Sequence, residues 1–368
     1  MAWLSVFYLG LFLTYVIFML WVRRCVIQVC KADVQSSSKP ASLIVVYRNE
    51  EEHLHLVLDS IEACLNKHPD LEVLFVDDHS TDAGKNQVLT FKDRFVRQVR
   101  SYSLPEGIEG KKAGLHLGIQ KASHDRLLFT DADCKLPEDW SRAMVWKLEQ
   151  AYSAGGSVLY LRKQGFWQHF LQWDLNSLMG LTAFGFEIGK PLMANGANLG
   201  YHKKCFHEIV NIHEKEMISG DDVFAVQQIQ KKYGKKIFYT LKNPVRTTAP
   251  ESFKTFLDQR IRWAKKSAGP KEPVAGLVTF FLAIINVLWC TGFVWFFVAP
   301  NVWMSVAVLS KVVVDGFFFI PVLRATESRY LWPSYPLVAI LHPFYVVTIG
   351  LLSLLLPYTW KNRTYKHG

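Results

Sequence analysis

Cysteine is thinly spread along the 368 residues, at Cys25, Cys30, Cys64, Cys134, Cys205 and Cys290, with no Cys-x-x-Cys pair and no regular spacing. That excludes a disulfide framework and a cysteine-held zinc site, and it fits a reduced, cytosolic environment. No internal repeat and no low-complexity tract appears, which sets aside solenoid and disordered-tail architectures. Charge is sparse too: 20% of residues are charged against 50% hydrophobic and 14% aromatic. The balance is too apolar for an ordinary soluble enzyme and too charged for a bundle made only of membrane helices. Zinc spacings, an RNP-type motif and a basic helix interleaved with aromatics are all missing, so the net charge of +10 does not point to nucleic acid. Many of the basic residues instead flank apolar segments: Arg23, Arg24 and Lys31; Arg260, Arg262, Lys265 and Lys266; Arg324; Lys361, Arg363 and Lys366. That placement fits the positive-inside bias and attraction to anionic lipid headgroups.

What is present sorts into three stretches. Trp3 to Val22 carries no charge and is followed by Arg23-Arg24. About 20 such residues cross the ~30 Å hydrocarbon layer, and no basic start or cleavage site marks a signal peptide. The segment therefore reads as an anchor (residues 1–24) with its first residues outside and Arg23 in the cytosol. Ser36-Ser37-Ser38-Lys39-Pro40 is a short linker to a catalytic stretch over residues 40–250. An amphipathic interfacial segment (251–272) precedes a membrane region (273–358), with spans expected over 274–299, 302–322 and 336–356. Lys311 and Asp315, four apart on one helical face, are expected to pair or to face other helices. One N-terminal and about three C-terminal crossings place the basic tail outside, against the positive-inside rule, so the sequence leaves the count open.

In the middle stretch Ala41–Tyr47, Leu71–Val76 and Leu127–Thr130 read as buried strands, and 51–65 and 113–122 as helices. Alternation of this kind predicts an α/β fold with a mainly parallel sheet, which binds ligands at the carboxyl ends of its strands. The polar motifs fall at those ends. Tyr47-Arg48-Asn49-Glu50 offers contacts to a nucleotide, and equally a helix N-terminus capped by Asn49. Asp77-Asp78-His79-Ser80-Thr81-Asp82 offers carboxylates to a base or ribose, and equally a turn. Gly110-Lys111-Lys112 offers a phosphate contact or a solvated basic loop. Asp131-Ala132-Asp133 is a compact way to hold a hard divalent cation, Mg²⁺ or Mn²⁺, against a diphosphate. Asn195–Gly200 and then Ser219-Gly220-Asp221-Asp222 follow, with Asp222 a candidate general base beside Asp221, or a helix-capping acid pair. Gln259, Arg262 and Trp263 share one helical face, suited to a leaving diphosphate and an acceptor. Arg260, Lys265 and Lys266 read as headgroup-level residues of an interfacial helix.

The ordered series Asp-Asp-x-Ser-x-Asp, Gly-Lys, Asp-x-Asp, Gly-Asp-Asp and Gln-x-x-Arg-Trp, spanning Ser42 to Trp263, resembles the membrane-integrated family-2 glycosyltransferases, including polysaccharide synthases and ceramide glucosyltransferases. The resemblance implies a GT-A fold, a mixed sheet flanked by helices, beside membrane helices. It implies that Tyr47, Arg48, Glu50, Asp77, Asp78, Asp131 and either Lys111 or Lys112 bind a nucleotide-sugar. Asp131 and Asp133 would engage the metal, Asp222 with Asp221 would act as base, and Asn198, Gln259, Arg262 and Trp263 would line the acceptor and diphosphate site. His79 stands where the family often has Gly, and Asp221 where it commonly has Glu. The small number of membrane segments favours a lipid acceptor over an exported polymer, with a processive synthase as the alternative. The implied protein is a multi-pass hexosyltransferase of a bacterial inner membrane that takes a UDP-type donor from the cytosol.

Overall fold

The computed structural model describes residues 2–210, 221–267, 273–299, 302–356, 358–360 and 363–365. In chain order it runs α1 (Ala2–Lys31), β1 (Ala41–Tyr47), α2 (Leu54–Lys67), β2 (Leu71–Asp77), α3 (Gly84–Arg94), β3 (Val99–Ser103), α4 (Lys111–Lys121), β4 (Arg126–Asp131) and β5 (Cys134–Lys135). Then come α5 (Trp140–Gln150), β6 (Ser153–Tyr160), α6 (Phe166–Glu187), β7 (Leu199–His202), α7 (Lys203–Val210), α8 (Asp221–Tyr233) and β8 (Ile237–Thr247). Four helices follow: α9 (Phe253–Ser267), α10 (Pro273–Val298), α11 (Val302–Ala325) and α12 (Tyr335–Leu355). Two compact units result. The sheet unit holds residues 31–161 and 193–248, and the helical unit holds 1–30, 162–192 and 249–368.

The sheet unit is built on eight strands in the order β3-β2-β1-β4-β7-β6-β8-β5. β1 pairs in parallel with both β2 and β4, whereas β7 runs antiparallel to β4 and β6. Every residue of β1 and β2 is buried, and apart from Ser42, Glu72 and Asp77 their sequences are apolar, as expected of strands covered on both faces. Each buried Val, Leu or Ile contributes about 1.5–3 kcal/mol. Helix α4 lies close on β1 because it carries glycine at the contact. A Cβ on Gly114 would fall 2.5 Å from Val46 Cγ1, and one on Gly118 would fall 2.5 Å from Ile44 Cγ2. In register, Tyr47 pairs with Asp77 and Val46 with Asp131. The carboxyl ends of three strands therefore deliver their acids to one edge.

The helical unit is apolar in bulk. Among the described residues, four of its helical stretches are long and apolar enough to cross a membrane: Tyr8–Lys31, Pro273–Val298, Val302–Ala325 and Arg329–Leu355. The last begins as a 3-10 turn at Arg329–Ser334, and α12 then continues unbroken through Pro343. Pro321 in α11 lacks the N–H that the Phe317 carbonyl needs one turn back, and Arg23 Nε donates to that carbonyl at 3.0 Å. Lys311 and Asp315 pair at 2.7 Å, and the Tyr15 hydroxyl also donates to Asp315. A cluster of Phe170, Trp173, Leu323, Leu331 and Val338 joins α6 to α11 and α12.

Candidate active site

At the carboxyl edge of the sheet unit, short polar loops are laced together by their own side chains. Asn49, in the left-handed conformation at φ 51, accepts from Thr81 N at 2.8 Å, so it bridges two loops and caps no helix. Asp82 accepts from Glu51 N at 2.8 Å, and Glu51 accepts in turn from Ala83 N at 3.0 Å. Asp77 is buried and accepts from Ser80 N at 2.9 Å, with Lys85 at 3.8 Å. Asp78, also buried, accepts from Gly110 N at 2.9 Å, and Arg48 stands 3.7 Å from both Asp78 and Glu109. Gly110 has φ 101, which L side chains rarely adopt. Its turn starts α4 and points the next residue, Lys111, along the sheet edge.

Lys111 Nζ is ion-paired with Asp131 Oδ1 at the end of β4. Burial alone would lower the Lys111 pKa, but Asp131, and beyond it Asp222, hold it above the ordinary lysine value. Asp222 Oδ2 accepts from Gly196 N at 3.1 Å, and its Oδ1 accepts from Val223 N at 2.9 Å in the first turn of α8. A methyl on Gly196 would stand 3.7 Å from Asp222 Oδ2 and 3.9 Å from Lys111 Nζ. One lysine thus lies among two carboxylates that are 91 residues apart in sequence and a backbone amide. Lys112, the other expected lysine, is exposed on the first turn of α4.

Asp133 is oriented from the far side of the sheet. Its Oδ2 accepts from Thr247 Oγ1 at 2.7 Å and Thr248 Oγ1 at 3.1 Å, at the end of β8. A carboxylate has about four acceptor sites, so Asp133 keeps capacity for a cation, and Asp131 keeps its second oxygen. Two strand-end carboxylates, one steadied by hydroxyls as ligating acids commonly are, fit a hard divalent ion.

Several expected site residues stand elsewhere. Tyr47 is 2% exposed, its ring edge-on to Phe75 with centroids 6.4 Å apart, so it offers no face for a base. Asn198 is 3% exposed. Its amide donates to Ser157 O at 2.9 Å and accepts from Trp140 Nε1 at 2.9 Å, which makes it a tie within the sheet unit. Its motif still reaches the site, through Asn195 and Gly196: Asn195 Oδ1 accepts from Ala197 N at 3.1 Å and shapes the turn that presents Gly196 N. Glu50 is half-buried, its carbonyl accepting from His53 N and Leu54 N at the start of α2. Ser219, Gly220 and the Asp221 side chain lie outside the described residues.

In the helical unit, Gln259, Arg262 and Trp263 sit half-buried on α9. Arg260, expected at headgroup level, is instead buried. Its guanidinium binds Asp174 Oδ2 at 2.6 and 2.7 Å, donates to Gln259 Oε1 at 3.0 Å and lies 4.3 Å from the Trp263 ring centre. Burial would raise the Asp174 carboxyl, but Arg260 and His342 hold it below the usual aspartate value. In the sequence Asp174 is marked only as the lone acid of the stretch Phe166–Leu181.

Known proteins agree with this architecture. The family model described as Glycosyl transferase family group 2 matches residues 127–357, and the one described as Glycosyl transferase family 2 matches residues 42–210. The chain belongs to the family-2 glycosyltransferases. A Sulfolobus acidocaldarius protein named "Probable glycosyltransferase" is 24% identical over 253 residues, covering 66% of this chain. The chain spans about half (53%) of that relative's length. Among solved structures, the mannosyltransferase PcManGT from Pyrobaculum calidifontis, in complex with GDP-Man and Mn²⁺, is similar at a TM-score of 0.59 and 15% identity, over 96% of this chain and 97% of that one. Glucosyl-3-phosphoglycerate synthase from Mycobacterium tuberculosis, with Mn²⁺ and UDP-glucose, has a TM-score of 0.44 at 13% identity, over 63% and 80%. The first of these likenesses shows the GT-A-type fold: a mixed sheet with flanking helices, here with four helices of membrane-crossing length.

Proposed function

We propose that this chain is an inverting, metal-dependent hexosyltransferase that passes one hexose from a nucleotide-sugar, a UDP-sugar first, to a membrane lipid. The transfer is assigned to the cytosolic face, the side on which Arg23 and Arg24 follow the uncharged run Trp3–Val22 within α1. The observation that carries the reading is the convergence of Lys111, Asp131 and Asp222 at the strand edge. Asp77, Asp78 and Arg48 are the proposed contacts to the base and ribose. Lys111, already drawn to acids, would turn its charge to the diphosphate. Asp222, steadied by two backbone amides, takes the proton from an acceptor hydroxyl as that oxygen attacks the anomeric carbon. The bond from that carbon to the diphosphate breaks, the nucleoside diphosphate leaves with the electron pair, and attack from the opposite side inverts the centre. A bound Mg²⁺ or Mn²⁺, held by Asp131 and Asp133, would neutralise charge on the departing diphosphate. Gln259, Arg262 and Trp263 are proposed, by resemblance, to serve the acceptor and leaving group. The four apolar helices support a lipid acceptor drawn from the bilayer.

The test is radiolabelled transfer from a panel of UDP- and GDP-sugars by the full chain in native-lipid nanodiscs, with Mg²⁺ or Mn²⁺, followed by solvent extraction. Label in the lipid phase is expected, lost with chelator. Asp222→Asn should lower kcat about 10²-fold or more, the range for a general base. Label in a high-mass fraction would make the product a polymer and overturn the acceptor assignment.

A further inference from the structure

The turn joining α11 to α12 carries a groove lined by none of the residues proposed above for glycosyl transfer. Its volume is about 550 Å³. The floor is Val312, Val313, Phe317 and Ile320 on α11. Tyr335 closes one side, donating to the Val312 carbonyl at 2.5 Å. Gly316 leaves room for that ring, since a Cβ there would already stand 3.3 Å from Tyr335 Oη. Arg324, Arg329 and Trp332 complete the lining.

Both guanidiniums belong to exposed residues, and neither is in an ion pair among the described residues. The acids of this segment do not neutralise them. Asp315 is taken by Lys311 and Tyr15, and Glu327 is exposed in the turn with φ 57. A third arginine, Arg23, is fixed to the Phe317 carbonyl in the groove floor. The depth is informative as well. Arg324 closes the membrane-length stretch Val302–Ala325, and Arg329 opens the next, Arg329–Leu355. Two cations at that level, with a tryptophan and a tyrosine beside them, match the composition of a headgroup layer. The apolar floor runs from there along a helix of bilayer length.

We propose that this groove is a binding site for one anionic phospholipid, its phosphate between Arg324 and Arg329 and an acyl chain along Val312, Val313 and Ile320. A free phosphate would gain nothing from the apolar floor. A zwitterionic lipid brings no net charge to offset two arginines. The site is independent of the transferase reading and stands or falls without it.

The experiment uses the full chain, delipidated in neutral detergent, with dioctanoyl phosphatidylglycerol, dioctanoyl phosphatidylcholine and inorganic phosphate as probes. Native mass spectrometry counts the retained lipid, and a thermal melt reads its effect. One phosphatidylglycerol per chain is expected, with a higher Tm and no such effect from phosphatidylcholine. The double variant Arg324→Gln/Arg329→Gln should weaken binding at least tenfold. Val313→Trp, which fills the floor and leaves both arginines in place, should do the same. Where a variant fails to match the native circular dichroism and elution volume, photoactivatable phosphatidylglycerol on the unaltered chain decides, with cross-links expected within residues 312–335. Equal retention of phosphatidylcholine, unchanged binding in folded variants, displacement of the lipid by equimolar phosphate, or cross-links elsewhere would each overturn the proposal.

Discussion

Lys147 lies on the buried side of α5 with the Met144 sulfur 3.4 Å from its ammonium and, among the described residues, no carboxylate paired with it. Burial lowers its pKa to about 7. The unfolded chain then binds a proton that the fold refuses, between about pH 7 and the ordinary lysine value of ~10.4, so stability rises with pH across that window. Lys147→Met should flatten the slope and raise stability by roughly 1–4 kcal/mol near pH 7, read by denaturant titration at several pH values. His79 is a second single-residue case. It stands where the related family often has glycine, and its φ of 56 supplies the reason, because glycine enters that region without strain. His79→Gly should therefore change Tm little or raise it slightly. Individual acids stand out in the sequence because each ends an apolar strand or precedes a helix, and the structure shows that Asp77, Asp78 and Asp82 also tie the loops there by accepting from backbone amides. Thr247 and Thr248 were not legible: they matter only because β8 returns beside β5, a pairing that no local spacing announces.

At the scale of elements, α4 places Lys111, and its own position depends on Gly114 and Gly118. Gly118→Ala would set a methyl against Ile44, an overpacking that costs about 1–3 kcal/mol. The helix should shift outward, with Tm falling and kcat/KM for the donor reduced about tenfold as Lys111 leaves Asp131. Helix α9 has a similar dependence within its own unit, since Asp174 of α6 neutralises Arg260. Asp174→Asn leaves a buried cation uncompensated and should cost about 3–5 kcal/mol, while Asp174→Leu with Arg260→Met should recover most of it. The central strands and their helices followed from apolar runs alone. Strand β6 did not, because Ser153-Ala154-Gly155-Gly156 has almost no hydrophobic signal. A Cβ at Gly156 would collide with the Asn198 amide, so its meaning lies wholly in packing. Arg260 misled for a related reason: a basic residue on a membrane-flanking helix suggests headgroups until its acid, 86 residues away, is known.

For the molecule as a whole, acid tolerance should be set partly by Glu72 in β2. Burial would raise this carboxyl, but Ser42, Ser123 and Arg100 hold it below the ordinary glutamate value. A depressed folded pKa gives stability that is present above the unfolded value of ~4.3 and lost as pH falls through the folded one. Glu72→Gln should lower stability at neutral pH and remove part of the acid-side slope, measured by unfolding between pH 3 and 7. The four long apolar helices bring a different dependence, on their surroundings, so melts belong in lipid or detergent of fixed composition. The bond from Arg23 to the Phe317 carbonyl also sets a clock. Its partners are 294 residues apart, and chains grow at about 5–20 residues per second. The first helix must therefore wait roughly 15–60 s after its synthesis before the proline-broken turn it completes exists. Throughout that interval the whole sheet unit emerges from the ribosome while α1, the founding helix of the helical unit, still lacks this partner.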